Sequence, residues 1–447
     1  MAAHIGKHAV VIGAGMAGLP AARVLSDYFE KVILLESDTL PEDAVPRAGT
    51  PQSKHLHALL AGGERALSSL FPGFIESLLQ AGAQRLPAEM ALLKERPGFD
   101  PFPFRDLGFC AYSATRPLVE WVIRRRVAAI ANVEIRQGSR VQHLLFDADK
   151  MTVTGVSVPT RAGSIEEIAA DLVLDCSSHG QPTLNLLASL GLPAPHEDQI
   201  GMDMGYATGV FAIPDDAPTE WKGVVTYGDP PRNRLGAFLM PVEGGEWIVS
   251  IGGSHDCKPG HDESGYLDSL RRLRTPTIYN AVRGAKRRGN IERYGLKASR
   301  WRRFERLSQF PAGLLPFGDT ICRFNPVYGQ GMSVAAKEAV LLQSVLREVA
   351  NGGVGMENLA CEFLSQAQPL IDAPWWQAAV PDFLDPLTTG ARPEDLADSL
   401  RFGAALARLA CRDAEIHKLM LEVQHLLKPR SVLRTPEMLA LIQAEVN

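Results

Sequence analysis

Two apolar blocks, at 9–12 and at 31–35 after an opening Lys31, frame a stretch from about 16 to 28 whose apolar positions follow a helical period. An apolar block without alternation reads as a strand covered on both faces, and a 3.6-residue period as a helix. Residues 5–40 therefore predict a strand–helix–strand unit of the parallel kind. A turn-rich polar stretch at 46–57 leads to a helix expected over 58–70. A further helix opens at Arg116-Pro117, where proline is tolerated in a first turn, with Leu118, Val122, Val127 and Ile130 as its apolar positions. Strands are expected near 133–136, 141–146 and 151–158, the last two joined by a hairpin connection at 147–150. The run Leu172-Val173-Leu174-Asp175 reads as another buried strand.

Beyond position 201 the pattern changes. Apolar and polar residues alternate at 205–213, 224–227, 235–240 and 246–252 without intervening helical stretches, which predicts an antiparallel sheet. Alternation does not fix whether Gly236, Phe238 and Met240 or the opposite set faces inward. Helices are expected near 266–274 and 277–288, a return strand over 312–319 and a helix over 331–349. The remainder, 356–447, reads as helices broken by Pro381, Pro386 and Pro393. Phe99, Phe102, Phe104, Phe109 and Tyr112 fall in irregular or β structure that either lines a pocket or forms half-buried loops. The pair Trp375-Trp376 reads as core packing.

The strand–helix junction carries chemistry. Gly13-Ala14-Gly15-Met16-Ala17-Gly18 fits Gly-x-Gly-x-x-Gly, and the second strand ends in Glu36. Gly13 permits the tight turn, Gly15 lets the backbone approach a pyrophosphate, and Gly18 lets helix and strand pack closely. Free N–H groups at the helix start face the phosphates, and Glu36 would accept hydrogen bonds from ribose hydroxyls. Together these features predict a dinucleotide site.

Composition narrows the partners. The chain has 447 residues, 46% hydrophobic and 22% charged, with a formal net charge of −5. That is ordinary for a globular protein of two or three domains and gives no general pull toward nucleic acid. The basic runs at 124–126 and 286–288 read as solvated helix faces. Six scattered cysteines without a C-x-x-C pair read as reduced thiols of a cytoplasmic protein, and no metal site is expected. No apolar run is long enough to span a bilayer, and the fold starts too soon after Met1 to leave room for a signal peptide.

A second signature is Gly318-Asp319-Thr320-Ile321-Cys322-Arg323-Phe324-Asn325-Pro326-Val327-Tyr328-Gly329-Gln330-Gly331-Met332, an acid after a strand followed by a glycine-containing loop at a helix start. With it the chain resembles the flavoprotein monooxygenases of the p-hydroxybenzoate hydroxylase fold. Within them it resembles bacterial flavin epoxidases of polyether biosynthesis and, more distantly, squalene epoxidase. The run from Pro46 to His57 is similar to a loop in that subgroup. The resemblance covers about 5–350 and implies an α/β fold: a Rossmann-like FAD-binding domain (1–185 and 310–355), an inserted antiparallel substrate domain (186–309) and a helical C-terminal region (356–447).

The resemblance implies FAD, rather than NAD, as the bound nucleotide. Gly13, Gly15, Met16, Ala17, Gly18 and Glu36 match the pyrophosphate and ribose loop. Arg47, Gln52 and Arg116 match cofactor contacts, Gly318-Asp319 the ribityl contact, and Pro326, Gly329, Gln330, Gly331 and Met332 the loop beside the flavin's pyrimidine edge. There the helix N-terminus would stabilise negative charge. The implied reaction inserts one oxygen from O₂ into a small apolar secondary metabolite through a flavin hydroperoxide, with epoxidation leading. Hydroxylation, or dehydrogenation or cyclisation without oxygen transfer, are the alternatives. NAD(P)H would supply electrons, directly or through a flavin reductase. One departure bears on this: many relatives carry glycine and arginine where this chain has Ser178 and His179, at a turn that in single-component relatives also touches NAD(P)H. Because the oxygen donor is the flavin, no catalytic side chain is required. His55 and His57 are the candidates for proton handling, beside a plainer role as loop or cofactor contacts. No base that would ionise a phenol is evident.

Overall fold

The computed structural model describes residues 4–446 apart from 88, 109, 161 and 162, so Phe109 lies outside the described residues. A five-stranded parallel sheet runs in the order Leu314–Pro316, Leu172–Asp175, Gly6–Ile12, Phe29–Leu35, Val133–Arg136. Its solid apolar blocks have a simple cause. Ala9, Val11, Val32 and Leu34 pack into one core with the helices Gly18–Leu25 and Gly331–Ala350. Val10, Ile12, Ile33 and Leu35 pack into another, against a three-stranded sheet of His143–Asp147, Thr152–Pro159 and Ile165–Ala169. Both faces are buried, so no polar alternation survives. The strand Ile165–Ala169 escapes the sequence reading because Ile168 is its single buried residue. The first helix is shorter than the period suggested, because residues 15–17 form the turn before it.

The second sheet has seven strands, in the order Cys322–Arg323, Arg287–Arg302, Glu197–Ala212, Glu246–Ser254, Gly236–Val242, Gly223–Thr226, Leu92–Glu95. All neighbours are antiparallel except the last pair, which is parallel. The helix expected over 277–288 stops at Val282, and Arg287–Arg302 is a 16-residue strand. Its arginines and glycines hide it from pattern reading. The equally long Glu197–Ala212 supplies the ladder that holds it. The basic run at 286–288 lies outside any helix, and the run at 124–126 is a solvated helix face only in part, with Arg125 exposed. Arg287 and Arg288 open this strand, and Arg124 is buried, donating to the Pro41 carbonyl.

The structure sets the phase of the alternating strands. Ala237, Leu239, Val249 and Ile251 pack against the helices Glu263–Arg271 and Thr277–Val282. Gly236, Phe238 and Met240 face the opposite way, into a large cavity between the two sheets. The helix Leu359–Asp382 continues through Pro369, Pro374 and Pro381, so Pro381 does not break it. Trp375 is buried in the main core beside Trp301, with ring centroids 5.8 Å apart. The helices Leu396–Arg412, Ala414–Gln424 and Pro436–Val446 enclose a separate core with Phe102. No described helix is long and apolar enough to cross a membrane.

Candidate cofactor and substrate site

The cavity, about 1530 Å³, begins at the glycine turn. Gly13 has φ +104, and a Cβ there would lie 2.7 Å from the Cys176 carbonyl oxygen. A Cβ on Gly18 would lie 1.9 Å from the Gly13 carbonyl oxygen. Both glycines are demanded by the protein's own backbone. Gly15 differs: its φ is not positive, and a Cβ would meet only the Arg116 guanidinium, 4.0 Å away. The same holds for Gly331, at the start of a 20-residue helix, where the nearest atom is an Asp319 carboxylate oxygen at 3.9 Å. These two glycines leave open space on the cavity wall rather than relieve a clash.

Among the sequence-derived candidates, Gly13, Gly15, Met16, Ala17, Glu36, Arg47, Gln52, His55, His57, Arg116, Asp319, Pro326, Gly329, Gln330, Gly331 and Met332 all line this one cavity. Gly18 and Gly318 sit behind its wall; Gly318 has φ +63 and packs against Ala17. Glu36 is already engaged: one carboxylate oxygen accepts from Ala14 N–H at 2.8 Å and the other from Asp38 N–H at 2.9 Å. Arg47 is buried among Glu36 (3.3 Å), Asp38 (3.3 Å) and Glu120 (2.9 Å). Burial alone would raise the Glu120 carboxyl, but Arg116 and Arg47 hold it below the usual range. Arg47 thus ties the polar loop to the end of the first βαβ unit.

His55 Nδ1 lies 2.7 Å from the Thr208 hydroxyl, which bonds Ser250 at 2.6 Å, and Ser250 in turn accepts from Leu56 N–H. His57 Nδ1 lies 2.9 Å from the His55 carbonyl, which can only accept, so Nδ1 carries the proton. Burial lowers His55 to about 4. Burial and the nearby Arg116 lower His57 to about 3. Both imidazoles are therefore neutral near pH 7. At the second signature, burial pushes the Asp319 carboxyl up, opposed by Arg323 and Arg116. Ser178 has φ +68, so the serine keeps the left-handed turn that glycine would favour. His179 lines the cavity beside it.

The cavity fits a large polar cofactor. Two buried side-chain atoms on its lining residues lack a partner: Arg116 Nε and Gln330 Oε1. Buried polar atoms are rarely left so. Together with the open faces of Gly15 and Gly331 they form a path from the first turn to the second. Beyond it the walls become Leu92, Val225, Tyr227, Phe238, Met240 and Leu384. Several lining groups had no signal in the sequence: Lys94 and Arg96 from the mixed stretch, Arg234, and the acids Asp382 and Asp385 from the helical tail. Among the described residues no group of three or more His, Cys, Asp or Glu could hold a metal ion.

No protein-family model matches the chain. It is 34% identical over 384 residues to Protein Rv3254 of Mycobacterium tuberculosis (strain ATCC 25618 / H37Rv), covering 83% of this chain and 78% of that one. Its fold is similar to that of PqsL, a probable FAD-dependent monooxygenase from Pseudomonas aeruginosa (TM-score 0.62, 13% identity, 85% of this chain and 96% of that one). It is also similar to p-nitrophenol 4-monooxygenase PnpA from Pseudomonas putida DLL-E4 (TM-score 0.66, 18% identity, 94% and 98%). None of the three is an epoxidase by name. The chain belongs to the same family as Protein Rv3254 and has the fold of the FAD-dependent monooxygenases.

Proposed function

We propose that this chain is an FAD-dependent monooxygenase that inserts one oxygen atom from O₂ into a largely apolar small molecule. Epoxidation of an alkene is the form its sequence resemblance implies. The observation that carries the reading is the single cavity, which joins both glycine-bearing turns to the apolar face of Phe238 and Met240. Gly13, Gly15, Met16, Ala17, Glu36, Arg47, Gln52 and Arg116 would hold the adenosine and pyrophosphate half. Gly318-Asp319 and the loop from Pro326 to Met332 would hold the ribityl chain and ring. When bound, FAD supplies the activation of O₂.

The chain's own residues do the rest. The helix Gly331–Ala350 has no acid in its first turn and offers free N–H groups to the cavity, where negative charge is stabilised. Neutral His55 and His57 contribute hydrogen bonds without adding charge. The apolar walls exclude water and place the substrate. NAD(P)H would reduce the flavin, directly or through a flavin reductase. The unpaired state of all six cysteines suits a cytoplasmic setting. The substrate side is built chiefly from 186–309, with Leu92–Glu95 and Cys322–Arg323 added to its sheet from the segments assigned to the cofactor, 1–185 and 310–355. The test is a purified, FAD-loaded protein given NAD(P)H, with and without a flavin reductase, and a panel of alkenes and phenols under ¹⁸O₂. Labelled product is the expected result. Protein that takes up no FAD, or that consumes oxygen without labelling any product, overturns the reading; the latter would favour dehydrogenation or cyclisation.

A further inference from the structure

The cavity wall carries three cations that no step above uses, Lys94, Arg96 and Arg234. Two of them are matched: Lys94 pairs with Glu89, and Arg234 with Asp385. Arg96 has no carboxylate partner among the described residues; its guanidinium rests on the rings of Tyr227 and Phe102. The other acids facing the cavity on this side are engaged elsewhere. Asp229 pairs with Arg232 at 2.8 Å, and Asp382 accepts from the Tyr328 hydroxyl at 2.9 Å and from Asn325 Nδ2 at 3.0 Å.

The strand Leu92–Glu95 accounts for this placement. Its alternation turns Leu92 and Lys94, and Arg96 just beyond its end, toward the cavity. Leu93 packs on the outer core instead, and Glu95 is buried, accepting from the hydroxyls of Thr226, Thr275 and Thr277. The neighbouring strand Gly223–Thr226 runs parallel, with Val225 level with Lys94. Tyr227 N–H then donates to the Glu95 carbonyl at 3.0 Å, which brings the Tyr227 ring beside Arg96. The guanidinium carbon lies 4.8 Å from the centroid of that ring and 5.6 Å from that of Phe102. Ring faces hold a guanidinium by its flat side and leave its N–H edges free to donate.

We propose that Arg96 anchors a carboxylate of the substrate, so that the molecule this cavity takes is a carboxylic acid with an apolar body. The proposal rests on the oxygenase reading and names the substrate class for that same site. Three features support it. Lys94 and Arg96 together face one acid, Glu89, so this strand face keeps one positive charge that the protein does not match. One charge suits a carboxylate better than a doubly charged phosphate. The planar fork of a guanidinium fits the two oxygens of a carboxylate with paired hydrogen bonds. The walls that share the cavity with Arg96, among them Leu92, Val225, Phe238 and Met240, suit a hydrocarbon body. Arg96 is itself half-buried, and a cation partly withdrawn from water attracts an anion more strongly than an exposed one.

The test titrates FAD-loaded protein by calorimetry with 4-phenylbutanoate and 8-phenyloctanoate, each beside the alcohol of the same length. The expected result is that an acid binds the wild type about tenfold or more tighter than its alcohol. Arg96→Gln should weaken the acid by about tenfold or more and leave the alcohol within about twofold, because only the charged end loses its partner. Arg96→Lys, which keeps the charge and loses the fork, should restore part of the preference. FAD uptake, read from its quenched fluorescence, should be native in both variants. Wild-type protein that binds each alcohol as tightly as its acid, or binds neither acid, overturns the proposal. So does an Arg96→Gln protein that keeps the acid preference, or one that loses acid and alcohol alike. The comparison on the wild type stands by itself should Arg96→Gln fail to fold. Wild-type protein that takes up no FAD overturns the oxygenase reading instead. The acid and alcohol titrations run equally on the bare chain, so the two failures are told apart.

Discussion

Glycines at neighbouring positions do different work here, and the difference is measurable. A methyl group on Gly18 would collide with backbone at 1.9 Å, whereas one on Gly15 would meet only the end of the Arg116 side chain at 4.0 Å. Gly18→Ala should cost about 3 kcal/mol of stability or more, because packed backbone must shift. Gly15→Ala should leave the denaturation midpoint nearly unchanged and weaken FAD uptake about tenfold or more, read by flavin fluorescence quenching. A Gly15→Ala protein with native FAD affinity would remove the cofactor from that turn. The sequence reading gives Gly13 to the turn, Gly15 to the pyrophosphate and Gly18 to helix–strand packing; the structure adds which atoms a side chain at each would strike. Ser178 shows where the motif falls short. Read as a departure from the glycine pattern, it retains the left-handed backbone anyway at φ +68, because the chain on either side holds the turn.

At the scale of elements, the strand Gly236–Val242 separates structure from function along one stretch of seven residues. Leu239 is fully buried against the outer helices. Leu239→Ala should destabilise by about 2–5 kcal/mol in denaturant unfolding. Phe238 lines the cavity, so Phe238→Ala should cost far less stability and instead shift KM or product distribution. Equal losses from both would mean that Phe238 is core. The alternation was plain in the sequence, but its phase depended on which face the helices Glu263–Arg271 and Thr277–Val282 cover. The strand Arg287–Arg302 is invisible to local pattern for a related reason: its pairing partner lies about ninety residues earlier along the chain, at Glu197–Ala212. The helix Leu359–Asp382 carries three prolines without breaking, since a helix buried against the main core can absorb their lost hydrogen bonds through packing.

Across the whole molecule, the two signature segments lie some three hundred positions apart in sequence yet share one cavity. A ligand that grips both must couple them. FAD at about a hundred times its Kd should add about 2.7 kcal/mol of stability. It should also slow amide exchange in the segments around Gly13 and around Gly331 together. Protection confined to the first segment would mean that the second turn is no part of the cofactor site.

What the sequence determined by itself was local: the glycine turn after a buried strand, the acid at the next strand's end, the second loop before a helix, and the switch from solid to alternating apolar pattern. Backbone sterics and burial on one or two faces write these features into short stretches. What only the tertiary structure decided was convergence: which face of the alternating sheet meets the cavity, that Gly15 and Gly331 open onto the same space, and that Asp382 of the helical tail stands beside Tyr328. Those relations arise when distant elements close around a shared volume, and a carboxylate's proton affinity is set by neighbours the chain brings to it from far along its length.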